Sequence, residues 1–299
     1  MKLTEKQVKQ FHEEGYLVVE NALNEADLAP VIAGIERFID RRANELKEAG
    51  KIAELHEGES FEKRYTSLFM QSKEIGLGLD IMHSRIPELF DFLRNPNLLD
   101  VAGSLLGSDI MCNPIQHLRA KVPNRAFGTE TPEFFLNVPW HQDAGVTLEE
   151  ADETDMFTFW LPLVDAIAET GCMEVMPGVF KDGYLPHTPT DGFTIVPEHL
   201  PAGPVKLAPC PKGGIVIMNK YTPHRGTSNL SDIIRWSIDL RYHRTGQPSG
   251  RPYHPSFVAR SESAPDSVLS DFNEWCRQWD EGLRLAAGKR MNRGISISM

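Results

Sequence analysis

Many short apolar strands broken by Gly and Pro turns, with helix-period segments gathered mostly at the two ends, predict a mainly β fold with added helices. That pattern belongs to a double-sheet jelly roll, the double-stranded β-helix of cupin-like proteins. The 299 residues can bury a substantial core and contain no linker, repeat or low-complexity segment, so one domain is expected over 1–299. Within it, 1–107 reads as mainly helical, 108–245 as the jelly-roll core, and 246–299 as a loop and a closing helix.

Thr4-Glu5-Lys6-Gln7 has the spacing of a capping box and opens a helix that ends near Gly15. Residues 16–20 follow as a strand. Asn24 opens a second helix over 25–49, with Leu28, Val31, Ile32, Ile35 and Ile39 at helical spacing. The mixed, polar stretch 54–73 carries no assignment. Residues 81–106 read as two helices split at Asn95-Pro96, and strands begin at Asp109. In 115–122, His117, Arg119 and Lys121 alternate with Leu118, Ala120 and Val122. The Phe-containing segment 124–138 reads as a loop folded over a site. Strands follow at 155–164, with Thr158 and Trp160 on one face, and at 171–178, 214–218 and 235–242. The Pro- and Gly-rich stretch 186–204 reads as an ordered loop, and a helix over 264–285 closes the chain.

The chemistry concentrates in Pro139-Trp140-His141-Gln142-Asp143. Read as a strand, this places His141 and Asp143 on one face and Gln142 on the other. His224, just past the apolar run 214–218, offers a third ligand. An isolated His-x-Asp is common and usually inert, but two imidazoles and a carboxylate on one face of an ion leave positions open, as in non-haem Fe(II) oxygen chemistry. Eleven residues after His224, Arg235 sits with Ser237 on an apolar alternating strand. A buried guanidinium needs an anion, and a dicarboxylate co-substrate would supply one. Two other readings use the same residues: a non-catalytic jelly-roll binding protein and a zinc hydrolase. Neither needs a fixed carboxylate clamp.

A formal charge of −11 argues against nucleic acid and anionic membranes as main partners. The polar N-terminus lacks a signal-peptide core, and no run approaches the roughly 20 apolar residues of a transmembrane helix. Cys112, Cys172, Cys210 and Cys276 are widely separated, which fits reduced thiols and a cytoplasmic setting.

From Phe11-His12-Glu13-Glu14-Gly15-Tyr16 to Tyr242 the chain resembles the phytanoyl-CoA dioxygenase-like branch of the Fe(II)/2-oxoglutarate oxygenases. The resemblance rests on Trp140-His141-Gln142-Asp143, Trp160-Leu161-Pro162-Leu163-Val164-Asp165-Ala166, Thr170-Gly171-Cys172-Met173, Met176-Pro177-Gly178, and His224 with Arg235. It implies Fe(II), 2-oxoglutarate and O2, with His141, Asp143 and His224 as metal ligands and Arg235 on the distal carboxylate. Ser237, Thr227, Trp160, Thr158 and His117 are the further cofactor-binding candidates. Arg225-Gly226 stands where relatives often have Gly-Ser, so Thr227 or Ser237 is expected to replace that hydroxyl. The Ser-His usual after Pro-Gly is also missing. Asp143 is retained where related halogenases carry a small residue, which favours hydroxylation or another oxidative outcome, such as desaturation, epoxidation or ring rearrangement, over halogenation. The expected substrate is a small molecule, and a homodimer is left open. Arg119, Lys121, Arg125, Arg241 and Arg244 would make a basic rim for an acidic or CoA-linked substrate; Phe127, Phe134 and Phe135 would line an apolar pocket.

Overall fold

The computed structural model describes residues 1–127, 136–188 and 193–293. Helix α1 (Glu5–Glu14) opens on the expected capping box: the Thr4 hydroxyl accepts from the Gln7 N–H, and the Gln7 side chain accepts from the Thr4 N–H. Gly15 ends it at φ 76°, where a Cβ would strike the Phe180 ring. Strand β1 (Tyr16–Val19) leads into α2 (Glu25–Glu48), capped by Asn24. The unassigned stretch contains α3 (Arg64–Gln71), which buries Tyr65, Thr66 and Leu68. Three helices replace the expected two between 81 and 106: α4 (Ile81–Ser84), α5 (Pro87–Phe92) and α6 (Pro96–Leu106). The extra break lies at Arg85, whose φ of 43° stops α4, and Pro87 starts the next helix.

The strands are β2 (Ile110–Cys112), β3 (His117–Lys121), β4 (Met156–Pro162), β5 (Met173–Val175), β6 (Lys206–Ala208), β7 (Ile215–Asn219), β8 (His224–Gly226), β9 (Arg235–Arg244) and β10 (Phe257–Arg260). The closing helix α7 (Phe272–Ala286) starts later than expected, at the Asp271 cap, and β10 precedes it. A seven-stranded sheet runs β1-β7-β4-β9-β2-β10, with β3 also on β9; β6-β5-β8 form a second sheet of three. All pairings are antiparallel. This is the jelly-roll arrangement that the strand pattern predicts.

Alternation divides the large sheet. Leu17, Phe159, Ile217, Ile238 and Leu240 face the helices and share one core with Leu28, Ile35 and Phe90. On the opposite face Tyr16, Trp160, Val216 and Met218 pack against Cys172, Met173 and Val175 near the small sheet. Between the sheets β9 also carries Arg235, Ser237 and Arg241, on the same face as Thr158 and Trp160 of β4. Strand β4 is buried end to end and β9 is buried at Arg235, Ser237 and Arg241, so these polar groups are placed by register and not by access to water.

Candidate metal centre

Residues 139–143 are not a strand. Only His141 is paired, in an isolated antiparallel bridge with His224; each donates its N–H to the other's carbonyl at 3.0 Å. The chain then turns into a 3-10 helix, Asp143–Val146. The expected convergence survives because the bridge sets the two imidazoles side by side, ring centroids 4.1 Å apart, and the turn swings Asp143 back toward them. One potential ligand atom from each of His141, Asp143 and His224 lies within 4.8 Å of the others, making a three-donor cluster. Both imidazoles are fixed by the Nδ1 atom, which donates to the carbonyl of Pro139 at 2.8 Å in His141 and of Thr222 at 2.9 Å in His224. That leaves Nε2 of each ring as the ligating atom. Gln142 points away, donating to the carbonyls of Gly183 and Tyr221 and accepting from Leu185 N–H.

Electrostatics ready these groups to ligate. Burial, then the neighbouring His224, pushes His141 down to about 3, so the ring is neutral. Burial alone would raise the Asp143 carboxyl, but Arg241 above all, with the two imidazoles, holds it well below the carboxylate range. Thr158 donates its hydroxyl to Asp143 Oδ2, and Arg241 pairs with Oδ1. The donor set suits a divalent ion that accepts nitrogen and oxygen ligands together, Fe(II) among them.

The residue expected to act as a clamp, Arg235, opens β9. Arg235 is 5% exposed, its Nη1 donates to Ser237 Oγ at 2.6 Å, and its guanidinium rests 5.0 Å over the Trp160 ring. Its Nε has no partner, and no carboxylate of the described residues forms an ion pair with it. Burial lowers it only to about 10, so it stays charged at neutral pH. Lys121 stands directly opposite Arg235 in the β3–β9 register, and burial plus that guanidinium push it down to about 7.

A family model described as phytanoyl-CoA dioxygenase (PhyH) matches residues 11–237. The chain belongs to this family of Fe(II)- and 2-oxoglutarate-dependent oxygenases. Similar solved structures include the epimerase SnoN in complex with Fe3+, alpha ketoglutarate and nogalamycin RO, at 19% identity and TM-score 0.56, covering 83% of this chain and 88% of that one. The carbocyclase SnoK from nogalamycin biosynthesis matches at 19% identity and TM-score 0.55, covering 90% and 95%. The non-heme monooxygenase ThoJ matches at 17% identity and TM-score 0.58, covering 94% and 97%. At these identities the likeness is one of fold.

Several residues of this phytanoyl-CoA dioxygenase family member sit elsewhere than the sequence suggests. Thr227 gives its hydroxyl to the Cys172 carbonyl at 2.9 Å, leaving Ser237 as the hydroxyl beside Arg235. Thr158 holds Asp143. His117 is inward on β3, opposite Asp239, with Nδ1 2.8 Å from Asp80 Oδ2. The five cations do not make one rim: Arg241 is buried on Asp143, Arg119 and Lys121 lie together on β3 opposite Ser237 and Arg235, and Arg125 and Arg244 are exposed, Arg244 on Asp155. Phe127 packs edge-on against Phe69 of the helical layer, while Phe134 and Phe135 lie outside the described residues. The missed residue is Arg241; its cue was a second charge on the same face of an apolar strand. A cavity of about 750 Å³ follows the His141–His224 bridge, lined by Val138, Trp140, Ile195, Leu200, Arg225 and Leu230. No helix among the described residues is long and apolar enough to cross a membrane.

Proposed function

We propose that this chain oxidises an unactivated C–H bond of a small, mainly apolar molecule, in the simplest outcome by hydroxylation. His141, Asp143 and His224 would hold Fe(II), and Arg235 with Ser237 would hold the far carboxylate of 2-oxoglutarate. Bound iron with 2-oxoglutarate and O2 supplies the oxidising power, converting the co-substrate to succinate and carbon dioxide. The protein supplies position. Asp143 stays ionised under Arg241 and Thr158, and each imidazole presents one fixed nitrogen. Arg235 and Ser237 fix the keto acid's direction, while Trp160 and the apolar wall of Cys172, Met173 and Val175 keep water from the clamp.

The observation that carries this reading is Arg235: a buried guanidinium with one hydroxyl partner and an orphaned Nε is costly unless an anion completes it. A structural or hydrolytic zinc site gives no reason for that cost. Trp140, Ile195, Leu200 and Leu230 offer the substrate apolar and aromatic contact, with Arg225, stacked 5.0 Å over Trp140, as the nearby charge. We further propose that residues 1–299 work as one catalytic unit.

The test combines metal stoichiometry with turnover. The purified chain is expected to bind one Fe(II) and to form succinate from 2-oxoglutarate, faster when the right member of a panel of carboxylates, acyl-CoAs and hydrophobic ring compounds is present. His141→Ala and Asp143→Ala should each lose both properties, and His199→Ala neither. His187 is no neutral control, because its Nε2 accepts the Gln142 N–H at 2.9 Å. Full activity in either ligand variant would end the assignment.

A further inference from the structure

The metal-ligand carboxylate has an unusual neighbour. Arg241, 4% exposed, pairs with Asp143 Oδ1 through Nη2, while Nη1 donates to the Ile115 carbonyl at 3.3 Å. Thr158, directly opposite Arg241 in the β4–β9 register, takes Oδ2. Both carboxylate oxygens therefore have a partner before any metal arrives. The family match ends at residue 237, so Arg241 lies beyond it.

Charge counting gives this contact a consequence. Two neutral imidazoles and one carboxylate present a net charge of −1 to a metal; a buried guanidinium on that carboxylate brings the local sum to zero. We propose that Arg241 is the charge-setting residue of the centre, cancelling Asp143 from outside the coordination sphere so that the site disfavours Fe(III) relative to Fe(II). The inference rests on the metal reading of His141, Asp143 and His224.

The physics is Coulombic. A unit charge several Å from a metal in a buried, partly polar environment changes binding by on the order of tenfold to a hundredfold per unit of metal charge. The penalty therefore grows from a divalent to a trivalent ion. The result is a resting centre that resists one-electron oxidation when no substrate consumes the oxidant. A purely structural ion pair, tying β9 to the 143–146 turn, predicts the opposite sign: losing it would loosen the turn and weaken metal binding.

Co(II) serves as a redox-inert probe. Arg241→Gln keeps a hydrogen-bond donor and removes the charge; it should bind Co(II) on the order of a hundredfold more tightly than the wild type, about tenfold for each of the ion's two charges. Its Fe(III)/Fe(II) potential should fall by about 60 mV or more, a tenfold change in the affinity ratio of the two states. Thr158→Val, which removes a contact without changing charge, should bind Co(II) more weakly and leave the potential within about 20 mV, roughly a twofold change in that ratio. Arg241→Lys keeps the charge and should stay within about threefold of wild type in Co(II) affinity. Equal or weaker Co(II) binding by Arg241→Gln, with an unmoved potential, overturns the proposal. If Arg241→Gln does not fold, Arg241→Lys decides: near-wild-type affinity and potential support charge-setting, and a loss beyond tenfold assigns Arg241 to geometry alone. Failure of the wild type itself to bind Co(II) would instead remove the metal reading beneath the proposal.

Discussion

Single side chains on β9 show what alternation reveals and what it hides. Alternation assigned Arg235 and Ser237 to one face, and they do share it. The same period puts Arg241 on that face, yet from sequence alone it reads only as a rim residue, because its partner Asp143 reaches it from a turn 98 residues away in the chain. A period of two fixes direction, whereas contact needs register across strands. His243, next along the same face, lies between Met111 of β2 and Met156 of β4, and burial pushes it down to about 4. The unfolded chain protonates this imidazole near pH 6.5, the folded chain only near 4, so between those values the unfolded state binds the extra proton. Stability should fall with pH across that window by about 1.4 kcal/mol per unit from this group alone. Urea unfolding at pH 7, 6 and 5 should show it, and His243→Leu should flatten the slope by one proton's worth. An unchanged slope in that variant would mean that His243 does not stay neutral.

Helices and strands differed in how well local sequence defined them. Helices α1 and α2 were legible because their caps and apolar period agree, and β4 and β7 because they are long apolar runs. Helix α3 was not, since its only strong signals are a few apolar residues in a polar stretch. The three-residue β6 and the four-residue β10 were missed because short edge strands carry almost no periodic signal. The 139–143 segment mimicked a strand because its bridge and turn place alternate side chains much as a strand would. What holds that turn comes from elsewhere in sequence. Lys220, just after β7, accepts the Ala144 N–H at 3.0 Å on its carbonyl. Its ammonium donates to the carbonyls of Ala151, Asp152 and Thr154, each at 2.6 Å. Lys220→Met would strand those carbonyls at a cost of about 3 kcal/mol, lowering Tm by roughly 5 °C in a chain of 299 residues. A shift under about 2 °C in thermal unfolding would show that water replaces the ammonium freely.

Taken together, the two sheets make the site by facing each other. The small sheet brings His224, the large sheet brings Thr158, Arg235, Ser237 and Arg241, and the connection between β3 and β4 brings His141 and Asp143. The far end of the chain also closes on it: Arg293 donates to the Ala144 carbonyl at 3.1 Å and lies 4.4 Å over the Tyr184 ring, which stacks on His187. The His141–Asp143–His224 cluster and the buried Arg235–Ser237 pair were legible because each uses residue types that are costly to bury without a purpose. The cavity lined by Val138, Trp140, Ile195, Leu200, Arg225 and Leu230 was not, because its walls come mostly from loops whose packing no period describes. The proposed function depends most directly on whether a keto acid bridges a metal held by His141, Asp143 and His224 to Arg235. Anaerobic titration of 2-oxoglutarate into the Fe(II)-loaded chain, followed by the weak visible charge-transfer band of a chelated keto acid, measures that bridge. The band should saturate in the wild type. Arg235→Leu should keep its Fe(II) yet need on the order of a hundredfold to a few thousandfold more 2-oxoglutarate, the loss of a buried pair worth about 3–5 kcal/mol. Bound Fe(II) without a band, or a shift under about threefold in Arg235→Leu, would contradict it.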